Sequence, residues 1–194
     1  MHEFLKLTAP QNIVKGNYMV KAEYEITNIV LTVSYEDVEL DLERVASGLE
    51  GARYDPEVFS GVAYRTSEPE TSFLIFASGN ANCIGAKTVE GAERAIENLT
   101  QELRELGFDV EEPETEVQNM VATVDFHRRF DLEEIAMNYH HAEYNSEIFP
   151  GLVFRWEDTN TTVLLFVEGE GVCAGAKNEE EIEKAIGRIE ETID

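Results

Sequence analysis

YDPEVFSGVAYRTSEPETSFLIFASGNANCIGAK, from Tyr54 to Lys87, is repeated from Tyr144 to Lys177 as YNSEIFPGLVFRWEDTNTTVLLFVEGEGVCAGAK. The two copies align without a gap at an offset of 90 residues. Identical residues at equivalent positions include Tyr54/Tyr144, Glu57/Glu147, Phe59/Phe149, Gly61/Gly151, Arg65/Arg155, Leu74/Leu164, Phe76/Phe166, Cys83/Cys173 and the Gly-Ala-Lys that ends each copy. An internal duplication of this kind dictates the architecture of the chain.

The same order of predicted elements surrounds both copies. Each repeat begins with a strand rich in β-branched residues, continues with a short helix and three short strands, and ends with a long amphipathic helix. The first repeat has these elements at Glu25 to Ser34, Leu40 to Leu49, 61–66, 71–77, 81–85 and Val89 to Leu106. The second repeat has them at Glu116 to Phe126, Leu132 to Tyr139, 151–157, 161–167, 171–175 and Glu179 to Ile193.

This order of elements predicts an α+β fold built from two pseudo-symmetric repeats. Each repeat covers only one face of its sheet with helices, and two repeats joined edge to edge form one longer antiparallel sheet with an open face. We expect an N-terminal arm at 1–24, a first repeat at 25–111 and a second repeat at 112–194. A short acidic linker, Asp109 to Thr115, joins the repeats.

The chain is acidic, with 40 Asp and Glu against 15 Lys and Arg and a net charge of −25. Disorder is a poor explanation for this acidic composition, because 43% of the residues are hydrophobic and the hydrophobic residues recur with regular spacing. An acidic surface with few lysines is typical of proteins that work in concentrated salt, where screening removes the self-repulsion. An ordinary acidic protein is the alternative.

Other features limit the class of protein. No apolar run approaches the roughly 20 residues of a membrane span, and the first 21 residues lack the apolar stretch of a signal peptide, so we expect a cytoplasmic protein without membrane contact. Cys83 and Cys173 occupy equivalent positions, and we predict two buried thiols rather than a disulfide. Gly79 to Thr88 lacks the spacing of a phosphate-binding loop, and His140-His141 has no further ligand at metal spacing. We expect no enzyme, no metal and no cofactor.

The repeated motif resembles the TATA-box-binding proteins in their archaeal form. It consists of Phe-(Ser/Pro)-Gly-(Val/Leu)-x-(Tyr/Phe)-Arg, a Leu-(Ile/Leu)-Phe that ends 17 residues after the first Phe, and Cys-x-Gly-Ala-Lys. The resemblance runs from about Ile26 to Ile193. Asp55-Pro56-Glu57 is similar to the wording of the family's members from halophilic archaea. The chain therefore resembles a divergent haloarchaeal paralogue. The resemblance implies a saddle-shaped sheet with helices on the convex face. The concave face of such a saddle sits in the minor groove of A·T-rich promoter DNA as a general transcription initiation factor.

The resemblance also implies roles for individual residues. Two Phe pairs act as wedges that kink the DNA, Phe59 with Phe76 and Phe149 with Phe166. Asn28 and Asn119 donate to groove acceptors at the dyad. Groove-floor contacts fall on Val30, Val121, Leu74 and Leu164, and phosphate contacts on Arg65, Arg155, Lys87 and Lys177. For isolated residues of these types, core packing or a solvated side chain is the alternative.

Partners follow from the same resemblance. The loop before Phe149 is the family's docking site for transcription factor B, which brings RNA polymerase indirectly, and its matching residues are Glu147 and Ile148. A homodimer through the concave face is possible for the free protein. The resemblance implies a nucleoid-associated protein.

Several positions depart from the family pattern, and all of them bear on DNA. Basic or hydroxyl residues of the family are replaced at Glu70, Asn80, Ile84, Asn160, Glu168, Glu170 and Ala174, and an apolar floor position is Asn82 in the first repeat but Val172 in the second. Few basic groups therefore remain to release counterions from DNA. Either Glu70, Glu168 and Glu170 face phosphates across bound cations, so that binding strengthens as salt rises, or the saddle is a protein-interaction module with weak or no DNA binding.

Overall fold

A computed structural model describes residues 21–193 of the chain. The predicted N-terminal arm therefore lies outside the described residues except for its last four positions, and Asp194 lies outside as well. The strands are β1 (Glu23–Ser34), β2 (Val62–Ser67), β3 (Glu70–Ile75), β4 (Asn80–Ala86), β5 (Glu114–Asp125), β6 (Ala142–Glu143), β7 (Leu152–Arg155), β8 (Thr162–Leu165) and β9 (Glu170–Ala176). The helices are α1 (Leu42–Gly48), α2 (Val89–Glu105), α3 (Leu132–Asn138) and α4 (Glu179–Ile193).

All nine strands of the described chain form one antiparallel sheet in the order β2-β3-β4-β1-β5-β9-β8-β7-β6. The repeats meet at the centre, where β1 pairs with β5. Ile29 lies opposite Met120, and Asn28 opposite Val121 in the same way that Asn119 lies opposite Val30. This register is symmetric about the Ile29/Met120 pair, so a pseudo-twofold axis passes through the middle of the sheet.

The helices cover one face of the sheet. On β1 and β5 alternate side chains are almost completely buried, namely Ile29, Leu31, Val33, Met120, Ala122 and Val124. The long helices α2 and α4 pack on this layer through side chains such as Leu99 and Ile186. The other side chains of the strands form a second layer that is partly buried or exposed, and we call it the open face. It comprises Asn28, Val30, Thr32, Leu74, Asn82, Ile84, Asn119, Val121, Thr123, Leu164, Val172 and Ala174.

Helix ends follow local capping chemistry. Asp41, Thr88 and Asp131 cap α1, α2 and α3 by accepting backbone N–H groups of the first turn. After α2, Gly107 adopts φ +81°, as expected for a helix stop. The first short helix begins at Leu42 and not at Leu40 as predicted, because Asp41 is the cap and the Leu40 backbone N–H donates to Ala77 O at 2.9 Å.

Both cysteines are free and fully buried, as predicted. Cys83 lies on β4 and Cys173 on β9, which are separated in the sheet by β1 and β5. Burial raises the pKa of Cys83 to about 11 and that of Cys173 to about 12. Both thiols are therefore protonated structural groups. Over residues 21–193, none of the helices is both long enough and apolar enough to span a membrane.

Candidate nucleic-acid interface

Two exposed aromatic pairs stand at equivalent places in the two repeats. Phe59 and Phe76 lie 5.8 Å apart between ring centroids at 66°, and Phe149 and Phe166 lie 6.0 Å apart at 65°. Phe59 is 39% exposed and Phe149 38%, whereas the true core residue Phe73 is completely buried. The predicted wedge residues are therefore brought together in pairs at the surface and do not belong to the core.

Each aromatic pair packs directly against a glycine. A Cβ added at Gly151 would lie 2.7 Å from Phe149 Cε1 and 2.9 Å from Phe166 Cε1. A Cβ added at Gly61 would lie 2.8 Å from Phe59 Cε1 and 3.2 Å from a carbon of the other ring. The rings thus pack against the glycine backbone at a distance that leaves no space for a side chain, which explains why Phe-x-Gly occurs in both copies.

Asn28 and Asn119 flank the pseudo-twofold axis, and their amides have a fixed orientation. Gly85 and Gly175 have φ of +98° and +91° and stand at register shifts in β4 and β9, where each is left out of the ladder. The Gly85 N–H donates to Asn28 Oδ1 at 2.9 Å, and the Gly175 N–H donates to Asn119 Oδ1 at 2.8 Å. Because only the amide oxygen accepts a hydrogen bond, each NH₂ group remains as a donor at the open face.

Apolar side chains line the open face between the two aromatic pairs. The four residues predicted to form a groove floor are all partly exposed there, namely Val30, Val121, Leu74 and Leu164. Ile84 is the cross-strand neighbour of Val30, and Ala174 that of Val121. The floor is therefore a continuous apolar strip interrupted mainly by the two asparagine amides and by Asn82.

Each of the four basic residues predicted to contact phosphate lies beside a carboxylate. All four side chains are exposed; Lys87 and Lys177 directly follow β4 and β9, Arg155 ends β7 and Arg65 lies within β2. The pairs are Lys177–Glu116 at 2.7 Å, Arg155–Glu143 at 3.6 Å, Lys87–Glu25 at 3.9 Å and Arg65–Glu70. The positive charge expected at the interface is therefore compensated within the protein.

The two ends of the open face differ in charge. Beside Phe76 the surface groove is lined by Thr32, Ser34, Ser78, Asn80 and Asn82. Glu114 and Glu116 of β5 are the cross-strand neighbours of Ser34 and Thr32. Beside Phe166 the equivalent groove is lined by Glu23 and Glu25, the counterparts of Glu114 and Glu116, and by Asp125 and Glu170. Asp125 and Glu170 stand where the first repeat has Ser34 and Asn80. Glu168, near this end, forms an ion pair with Arg129 at 2.5 Å. The second-repeat end is therefore the more negative of the two.

The loop before Phe149 presents an isolated apolar side chain. Ile148 is 83% exposed, and its counterpart Val58 is 82% exposed. Asn145 Oδ1 accepts the Glu147 N–H at 3.1 Å and thereby fixes the turn. The two residues predicted to bind a partner, Glu147 and Ile148, thus project from an ordered turn.

Two features of this surface are missing from the sequence analysis. One is the bond between each asparagine and a bulged glycine, and the other is the pairing of Lys87 and Lys177 with Glu25 and Glu116. For the lysine pairs the sequence does contain one indication, because Glu25 and Glu116 occupy equivalent positions in the two repeats. His140 and His141 have ring centroids 3.9 Å apart, and no group of three metal-ligating side chains is found among residues 21–193.

Comparison with known proteins agrees with this architecture. The family model described as "Transcription factor TFIID (or TATA-binding protein, TBP)" matches residues 23–106 and 114–194. The TATA-box-binding protein of Methanocaldococcus jannaschii is 44% identical over 176 residues, which cover 90% of this chain and 96% of that protein. The TATA-box-binding protein of Thermoplasma acidophilum is 42% identical over 171 residues, covering 87% and 92%.

A solved structure supports the same conclusion. The structure of Methanococcus jannaschii TBP superposes with a TM-score of 0.82 at 44% identity, covering 88% of this chain and 98% of that one. This match confirms the predicted fold, in which two repeats form one curved antiparallel sheet with helices on one face. The matched family is a family of transcription factors and not of enzymes. The chain belongs to the TATA-binding protein family.

Proposed function

We propose that this protein is a general transcription initiation factor that binds A·T-rich promoter DNA in the minor groove and kinks it. One observation carries the proposal: two Phe pairs, each with one exposed and one half-buried ring, stand at symmetric ends of an apolar open face, with two amide donors at the axis between them. The relatives named TATA-box-binding protein support the same assignment.

The open face suits the chemistry of an A·T minor groove. Adenine N3 and thymine O2 are acceptors, and the free NH₂ groups of Asn28 and Asn119 are donors at the right face. The guanine amino group would obstruct close packing of an apolar floor such as Val30 and Val121. A preference for A·T pairs at the centre of the site follows.

The aromatic pairs act as wedges. Inserting apolar rings between base steps kinks DNA toward the major groove at a cost of a few kcal/mol per step, which the extra contacts of the bent duplex offset. One pair per repeat places a kink at each end of the site.

We further propose that the protein recruits transcription factor B through Glu147 and Ile148, and RNA polymerase through that factor. An 83% exposed isoleucine on an ordered turn is an apolar anchor without a partner in the free chain. Replacing Ile148 by alanine weakens assembly on DNA with transcription factor B, whereas the matched Val58→Ala leaves it unchanged. Equal effects of both variants contradict this docking site.

The acidic surface sets the salt response. With a net charge of −25 and paired basic residues, the protein repels DNA in dilute salt. We propose that cations between the phosphates and Glu70, Glu168 and Glu170 support binding, so that affinity rises with salt. The same composition suits a haloarchaeal cytoplasm, in which the protein is nucleoid-associated.

We propose that the chain divides into a first repeat at 25–111 and a second repeat at 112–194. When free, the apolar open face also supports a homodimer, which DNA displaces. Sedimentation with and without an A·T-rich duplex measures this exchange.

Mobility shifts on an A·T-rich promoter duplex and a scrambled duplex, from dilute to multimolar KCl, test DNA binding. A shift specific to the A·T-rich duplex is expected, and no shift at any salt favours the protein-interaction module instead.

Bending is measured by energy transfer between dyes at the duplex ends. Phe59→Ala with Phe76→Ala removes one kink, and Phe149→Ala with Phe166→Ala removes the other. Unchanged bending in folded variants rejects the wedge role.

A further inference from the structure

Lys177 and Lys87 are held by carboxylates of the neighbouring strands. Lys177 Nζ lies 2.7 Å from Glu116 Oε1, and the other oxygen of Glu116 accepts from Gln118 Nε2 at 2.9 Å. Lys87 Nζ lies 3.9 Å from Glu25 Oε1. These hydrogen bonds, first that from Lys177 and then that from Gln118, lower the pKa of Glu116. The glutamate is therefore a permanent anion at the edge of the open face.

This arrangement is part of the duplication. Glu25 on β1 and Glu116 on β5 are equivalent, and each lysine follows the bulged glycine that binds the dyad asparagine. The arginine pairs differ in this respect, because Arg65 and Arg155 use partners at unrelated positions. The second repeat closes this pair as a hydrogen bond at 2.7 Å and the first as a looser ion pair at 3.9 Å, so the sheet places a carboxylate within reach of the lysine in both repeats.

We propose that Glu25 and Glu116 compete with DNA phosphates for Lys87 and Lys177, so that two carboxylates of the protein set the affinity and salt response of DNA binding. This inference rests on the proposed function. A carboxylate occupies the place of a phosphate on each lysine, and DNA must displace it. The two glutamates are thus internal competitors located beside the binding surface.

The expected size of the effect is modest. Exposed ion pairs are individually weak, so releasing one lysine tightens DNA binding by about two- to fivefold. Charges act over about 10 Å at 0.1 M salt but only about 3 Å at 1 M, so the gain shrinks as KCl rises. A gain in DNA affinity that shrinks as KCl rises indicates electrostatic competition for the lysines, whereas a change in the shape of the protein would give a gain that does not depend on salt.

Glu116→Gln and Glu25→Gln test the inference, with Glu112→Gln as the matched control. Glu112 pairs with Arg104 of α2 at 3.1 Å on the helix side, so its replacement removes the same charge away from the open face. DNA affinity is measured by titration of an A·T-rich duplex over a KCl series that begins where the wild type is folded. Each interface variant binds about two- to fivefold more tightly at the lowest salt, and the control binds as the wild type does.

A double-mutant cycle identifies the cause of the gain. In a Lys177→Met background, Glu116→Gln has no effect if the glutamate acts by occupying the lysine. A gain that persists in this background, or one equal to that of the control, overturns the competition. A wild-type protein that binds no DNA at any salt overturns the proposed function itself, so the two failures are distinguishable.

Discussion

A single hydrogen bond at each dyad asparagine decides what this surface presents to a ligand. The bulged glycine N–H needs an acceptor, and only the amide oxygen of Asn119 provides one at 2.8 Å. The NH₂ group is consequently directed away from the glycine and remains a donor. An isolated asparagine could present either end, whereas this one presents only its donor.

Asn119→Asp separates the structural from the recognition role of this residue. One carboxylate oxygen still accepts the Gly175 N–H, so the thermal unfolding midpoint changes little. The second oxygen replaces a donor by a negative acceptor, so affinity for an A·T-rich duplex falls by about 10- to 100-fold. Calorimetry and DNA titration measure the two effects, and Asn28→Asp is the symmetric counterpart. A variant that retains wild-type affinity shows that the amide does not face the DNA.

Sequence predicts the residues of this site better than their contacts. Asn28 and the Gly-Ala-Lys motif are both recognisable, because each occurs twice. Their hydrogen bond depends on a shift of register, in which Ile29 pairs with Ala86 but Val30 pairs with Ile84. A one-residue bulge leaves no hydrophobic pattern of its own, so periodicity could not locate it.

At the scale of elements, the loop before β7 and the end of β8 form one unit with Gly151. The glycine lies at the junction where Phe149 and Phe166 meet at 6.0 Å. Any side chain there must displace one ring. The arrangement of the aromatic pair is therefore a property of the hairpin and not only of its two aromatic residues.

Gly151→Ala tests this dependence. The new methyl group would lie within 3 Å of both rings, so one ring moves and the wedge opens. We expect a loss of about 1–3 kcal/mol in the free energy of unfolding, as is typical of overpacking. Bending at the second-repeat end should decrease as well. Urea unfolding and end-to-end energy transfer measure both, and Gly61→Ala should act on the other kink. A full bend in a folded Gly151→Ala protein contradicts the role of the glycine.

The element order was predictable because the duplication confirms each assignment twice. The ends of elements were less so, because tertiary contacts override local spacing. Leu40 fits the helical pattern of α1, yet its backbone pairs with Ala77 after β3, and the helix begins at Leu42. The two-residue β6 is too short to leave any signal in the sequence.

For the whole molecule, the two repeats share a shape but not a charge. Glu170 and Asp125 lie beside Phe166, whereas Asn80 and Ser34 stand at the equivalent places beside Phe76. The sheet thus has an electrostatic polarity that its pseudo-twofold symmetry lacks. DNA meets more repulsion at the second-repeat end.

Exchanging the two equivalent residues tests this polarity. Glu170→Asn removes a negative charge from the acidic groove and should tighten DNA binding at the lowest workable salt, by about two- to fivefold. Asn80→Glu adds a negative charge to the less acidic groove beside Phe76 and should weaken binding by a similar factor. DNA titration over a KCl series measures both. The polarity has no role in binding if neither exchange alters the affinity.

Net charge also governs stability. At −25, mutual repulsion of carboxylates destabilises the compact state, and salt screens it most steeply at low concentration, since the screening length is already about 3 Å at 1 M. The thermal unfolding midpoint, followed by circular dichroism, should therefore rise with KCl and rise fastest below about 0.5 M. A variant with Glu93→Gln, Glu97→Gln and Glu180→Gln on the helix face should unfold at a higher temperature in dilute salt and show a shallower dependence. If the midpoint is flat or falls with KCl, or if this variant follows the wild-type curve, the acidic surface is not an adaptation to salt.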